Sequence, residues 1–198
     1  MLDISFPYEK VVQALAYLTQ KNNGKINKMK IIKLIYFADR FHLRKYGKLL
    51  SGDKYYGMEY GAVPSITKDL ATRNIFLDEN VLEYIDNYLD TSEQYDLGLK
   101  NDCELDFLSE SELEALDFAF QVFGDKDEFQ LANISHDYPE WDNIKEELQS
   151  KKRAEMNVMD FLGDPINEQN PCFELSEGDK ADLKEELEEK EGLEKLLD

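Results

Sequence analysis

The chain has 198 residues, of which 42% are hydrophobic and 12% aromatic, enough to build a packed core, so a wholly disordered protein is excluded. Ten glycines and five prolines exclude a fibrous one, and no apolar run reaches the roughly 18 residues of a membrane-spanning helix. The formal charge of −20 is laid out unevenly, with 13 basic against 6 acidic residues up to residue 75 and 10 against 37 beyond it.

A basic segment in an acidic chain implies either a surface for a partner or mutual screening of the two halves. A dedicated nucleic-acid binder would be basic throughout, so nucleic acid is not the expected partner. The opening MLDISFPYEK has neither the basic nor the apolar region of a signal peptide, and a cytoplasmic protein without membrane association is expected. Cys103 and Cys172 form no CxxC pair, and in a reducing compartment they read as ordinary thiols.

Taken in chain order, Val11, Val12, Leu15 and Leu18 share one face of a helix over 8–22, stopped by Gly24. Asn27 caps a second helix, 27–46, ended by Gly47. On its wheel, Met29, Ile31, Ile32, Leu34, Ile35, Tyr36, Ala38, Phe41, His42 and Leu43 sweep most of the circumference. Lys30, Lys33, Arg40 and Arg44 gather in the narrow remainder with Phe37 among them. Such a helix belongs at the centre of a domain.

KYYGMEY (54–60) predicts a strand and GAVP (61–64) a turn into a helix reaching about Arg73. A short helix follows over 79–89, then a weak hairpin over 93–107 turning at Lys100-Asn101-Asp102. Ser109 and Glu112 form a capping box for a helix to Gly124. Helices follow over about 127–135 and from Pro139, and 154–162 closes the core. The expected class is mainly α (α+β): a compact multi-helix domain around a buried central helix, with short strands. Its domain spans 1–162, a linker 163–173, and an acidic, partly helical tail 174–198. That tail, with 11 acidic and 4 basic residues, reads as an appendage serving partner choice and not the fold.

No phosphate-binding loop, HExxH pair or GxSxG elbow is present, so the reading is a protein that is not an enzyme, without catalytic residues, cofactor or metal. The best surface candidate is the stripe Lys30, Lys33, Phe37, Arg40 and Arg44: basic residues around an aromatic suit an acidic protein partner or single-stranded nucleic acid. A merely solvated face is the alternative. His42 reads either as a core histidine satisfied by hydrogen bonds or as the lining of a pocket shared with Asp39, Asp53 or Tyr56. His136 and Trp141 read as a helix start anchored in the core or as part of the same pocket.

The run Leu34-Ile35-Tyr36-Phe37-Ala38-Asp39-Arg40-Phe41-His42-Leu43, then Tyr46-Gly47, Leu50-Ser51-Gly52-Asp53 and Gly61-Ala62-Val63-Pro64, resembles the Panacea (SocA-like) domain. Leu108-Ser109 with Glu112, and His136 followed by Trp141, are similar to its later half. Gly61-Ala62-Val63 departs from the family's Gly-Pro-Val, which loosens that turn. The resemblance implies an antitoxin, often of phage or prophage setting, that neutralises a cognate protein toxin by direct binding. It also implies that partners are diverse, that one branch delivers its toxin to a protease, and that assembly is with the toxin or with further copies. The alternative is a nucleic-acid-binding regulator using the stripe of 27–46.

Overall fold

The computed structural model describes residues 6–197. The first five residues of the amino terminus assessed above, and Asp198, lie outside the described residues. In chain order the elements are α1 (Tyr8–Lys21), β1 (Lys25–Asn27), α2 (Lys28–Tyr46), β2 (Tyr55–Met58), β3 (Gly61–Pro64), α3 (Ser65–Ala71) and α4 (Glu79–Tyr88). There follow β4 (Leu89–Asp90), β5 (Asp96–Leu99), α5 (Glu110–Phe123), α6 (Glu128–Ser135), α7 (Pro139–Asp142), α8 (Lys145–Leu148), β6 (Ala154–Glu155), a 3-10 turn (Val158–Leu162) and α9 (Glu177–Leu197). The architecture is mainly helical with two small antiparallel sheets, as the sequence implies.

The ends of α2 are set by local chemistry. The Asn27 side chain accepts from Met29 N at 2.8 Å and Lys30 N at 3.1 Å, and Gly47 takes the left-handed conformation, φ 69°, that stops the helix. Between them every residue from Ile31 to Arg44 is buried. Burial of each large aliphatic side chain contributes about 1.5–3 kcal/mol, so this helix anchors the core. The α5 helix lies along it, with Phe37 stacked on Phe123 at 3.9 Å and Phe41 on Phe118 at 4.3 Å. Its start is the predicted box: Ser109 accepts from Glu112 N, and the Glu112 side chain accepts from Ser109 N at 2.8 Å. The α1, α3 and α6 helices and β3 pack around the rest of α2.

Two local expectations are corrected. GAVP is a strand, paired with β2 in register Tyr55↔Pro64 to Met58↔Gly61, and the turn is at Glu59–Tyr60. The alternation near residue 97 belongs to β5, which lies between β1 and β4 in one sheet; its connection to β4 runs through 91–95 and not through 100–102. Alternation specifies the faces of a strand but not its partner.

The segment read as a linker and tail is tied to the core. Phe173 O accepts from Arg44 Nε at 2.6 Å, and Lys180 pairs with Asp164 at 2.6 Å. On α9, Lys180, Leu183 and Leu187 are half-buried at helical spacing, with Leu183 against Gly47.

Candidate partner-binding cleft

Lys33, Phe37, Arg40 and Arg44 do fall on one side of α2, but that side faces inward: their exposures are 1%, 2%, 3% and 1%. This corrects the expectation of an open basic stripe. Burying cations is costly unless oxygens replace water around them, and for the two arginines they do. Arg40 Nε donates to Glu140 Oε1 at 2.6 Å, Arg40 Nη2 to Gly163 O at 2.6 Å, and the guanidinium lies 4.0 Å from the Tyr138 ring centroid. Arg44 donates to the carbonyls of Leu162, Gly163 and Phe173 and to Asp164 Oδ1 at 2.7 Å. Lys30, half-buried, donates to Gly124 O at 2.7 Å. The chain after residue 135 thus supplies a sleeve of acceptors over Arg40 and Arg44, which are buried beneath it.

The six pocket candidates separate. Asp39 accepts from Ser51 N at 2.8 Å and from the hydroxyls of Ser51 and Tyr55; burial pushes its carboxyl up to about 6 against these donors. Asp53 accepts from Ile66 N at 3.0 Å and Thr67 N at 2.7 Å, fixing the start of α3. His42 has both ring nitrogens engaged, Nδ1 with Lys48 O at 2.8 Å and Nε2 with Ser111 Oγ at 3.0 Å, and burial lowers its pKa. These three are structural. Tyr56 is half-buried, with the Arg153 guanidinium 4.8 Å from its ring centroid.

His136 and Trp141, by contrast, belong together: their rings stack at 3.9 Å and 27°. Trp141 and Lys33 line a cleft of about 990 Å³ between the β2–β3 hairpin, the start of α2, and α6 with the segment after it. Met58, Tyr60, Val63, Phe129 and Leu148 make its apolar surface. Tyr60 and Phe129 are 49% and 58% exposed and meet edge to face at 6.1 Å. Lys28, Lys68, Lys151 and Lys152 join Lys33 in the lining, against Glu59 and Glu128. A basic cleft on a chain of net charge −20 is a local inversion of sign.

Of the residues singled out from sequence, only Lys33 and Trp141 line this cleft, with His136 stacked behind Trp141. Tyr60, Phe129, Lys68, Lys151 and Lys152 were not foreseen. The one available signal was the outward position of Phe129, just inside the α6 cap, where Asp127 accepts from Phe129 N and Gln130 N.

Among the described residues no three His, Cys, Asp or Glu side chains are grouped to hold a metal ion. Both cysteines are free, and burial pushes the Cys103 thiol up to about 11, away from a reactive thiolate. No described helix is long and apolar enough to cross a membrane.

No curated protein and no solved structure matches this chain. The family described as "Antitoxin SocA-like, Panacea domain" matches residues 31–142, from α2 through α7, more than half of the sequence. That span holds the hairpin, Lys33, Phe129 and the His136–Trp141 stack, while Lys151, Lys152, the acceptors of the 3-10 turn and α9 fall beyond it. The chain belongs to the SocA-like Panacea-domain antitoxin family.

Proposed function

We propose that this protein is the antitoxin of a toxin–antitoxin pair, that it neutralises its toxin by direct protein–protein contact, and that the cleft is the contact surface. The observation that carries the reading is the pair Tyr60 and Phe129, two half-exposed aromatic rings in mutual contact beside Trp141 in a lysine-rimmed cleft. Large aromatics that stay exposed in a folded monomer are the usual anchors of protein interfaces, and charges around them set partner choice. Membership of an antitoxin family supports a toxin as the partner. Blocking the toxin and handing it to a protease both begin with this contact.

The test is co-expression with the product of the neighbouring reading frame. Wild-type protein restores growth and co-purifies with the toxin; Tyr60→Ala/Phe129→Ala remains folded and loses both. Growth rescue without a complex, or an unimpaired double variant, would overturn the reading.

A further inference from the structure

Lys33 carries a chemistry that the core does not use. It forms part of the cleft lining, yet is only 1% exposed. Its Nζ donates to Ala62 O at 2.5 Å, and it makes no salt bridge among the described residues. An ammonium has three donors, so two have no acceptor among the described residues. The two buried arginines of α2 are different: Arg40 is answered by Glu140 and Arg44 by Asp164. Burial alone draws the Lys33 amine down to about 7, with no carboxylate opposing it.

Gly61 permits this approach of hairpin to amine. At φ 83° it occupies the left-handed region, and a Cβ there would stand 1.9 Å from Ser135 Oγ and 3.0 Å from Lys33 Nζ. Next to Ser135, His136 presents a buried Nε2 that has no hydrogen-bond partner among the described residues, while its ring is held against Trp141. Burial first, and the charge of Lys33 second, lower the pKa of that imidazole. A buried polar nitrogen without a partner is destabilising, so its persistence calls for an explanation. Lys33 and His136 are both able to donate to an anion, and among the described residues no carboxylate is hydrogen-bonded to either.

We propose that the cleft recognises an acidic segment of the partner protein, one carboxylate entering to Lys33 with His136 as second donor. A flanking aromatic or aliphatic side chain then packs on Trp141, Tyr60 and Phe129. Lys68, Lys151 and Lys152 on the rim suit further acidic residues of that segment. The flexible stem of Lys33 lets Nζ turn from Ala62 O toward the carboxylate, exchanging a neutral acceptor for a charged one. This rests on the reading of the cleft as the toxin contact and adds the chemistry that it selects.

The test uses two probes, acetyl-Phe-Glu-Phe-amide and its Gln counterpart, titrated against the full chain at fixed salt. Trp141 is the only tryptophan, so its fluorescence reports the cleft. The Glu peptide should bind saturably and the Gln peptide at least about tenfold more weakly. Lys33→Met should bring the two affinities together while its melting temperature is held or raised, which separates recognition from folding. Equal affinities in the wild type, no saturable binding of either peptide, or an acid preference that survives Lys33→Met would each overturn the proposal. So would displacement of the peptide by a single-stranded oligonucleotide that binds more tightly, which would assign the lysines to phosphate. If the peptides fail while the toxin still co-purifies and Tyr60→Ala/Phe129→Ala still abolishes that complex, acid recognition is wrong and the antitoxin reading stands.

Discussion

Arg40 on α2 and Glu140 on α7, a hundred residues apart, meet as an ion pair at 2.6 Å with exposures of 3% and 0%. Tyr36 donates to the same carboxylate oxygen at 2.5 Å, and Tyr138 covers the guanidinium. The pair fastens the segment after α6 to the central helix. Removing one partner leaves a buried charge uncompensated, so Arg40→Met or Glu140→Gln should each destabilise by about 3–5 kcal/mol. The double variant Arg40→Met/Glu140→Leu should lose much less than the sum. Urea unfolding of the three variants measures this, and additive losses would show that the two side chains act independently.

Leu34, at the middle of α2, is fully buried. Leu34→Ala removes apolar contacts and leaves a cavity, with an expected loss of about 2–5 kcal/mol. A loss under about 1 kcal/mol in the same unfolding experiment would place this position outside the rigid core.

Lys33 makes stability depend on pH with a definite sign. Its folded pKa of about 7 lies below the unfolded value near 10.4, so between them the unfolded chain binds more protons and stability rises with pH. The penalty is fully present below about 7 and is relieved as pH rises. From pH 7 to about 9.5 the wild type should gain relative to Lys33→Met, by an amount on the order of a few kcal/mol. Parallel pH profiles for the two proteins would mean that the amine is charged and solvated in the folded state.

The α9 helix docks through Leu183 and Leu187, whereas most of its described residues are exposed. Truncation before Glu177 should therefore leave a folded protein that is weaker by about 1–2 kcal/mol, from the partial burial of two leucines. Thermal melting measures the difference. An unchanged midpoint would restore the tail to a free appendage, as its composition alone implies.

The amount legible in advance differs between the fold and the site. The helix caps at Asn27 and Ser109, the stop at Gly47 and the central place of α2 were readable, because each depends on residues within a few positions of one another. The family pattern lay in the same stretch. The β5 pairing was not readable, because β1 is about 70 residues away and alternation carries no address. Nor was the cleft, since Tyr60, Phe129 and Lys151 come from separate elements with no spacing in common.

By itself the sequence determined that α2 is apolar on nearly all sides and that four cations and Phe37 share its last arc. Only the tertiary structure decided whether that arc met solvent. A cation's own polarity says that it needs oxygen around it, but not whether the oxygen is water's or the protein's. For Arg40 and Arg44 the acceptors arrive from residues 140 and 161–173, a hundred or more positions along the chain. For Lys33 the fold brings a single carbonyl and leaves the amine in the lining of a cleft. The same helical spacing thus yields two structural arginines and one lysine with capacity to spare. The difference lies in which distant carboxylates the folding chain brings within hydrogen-bond reach.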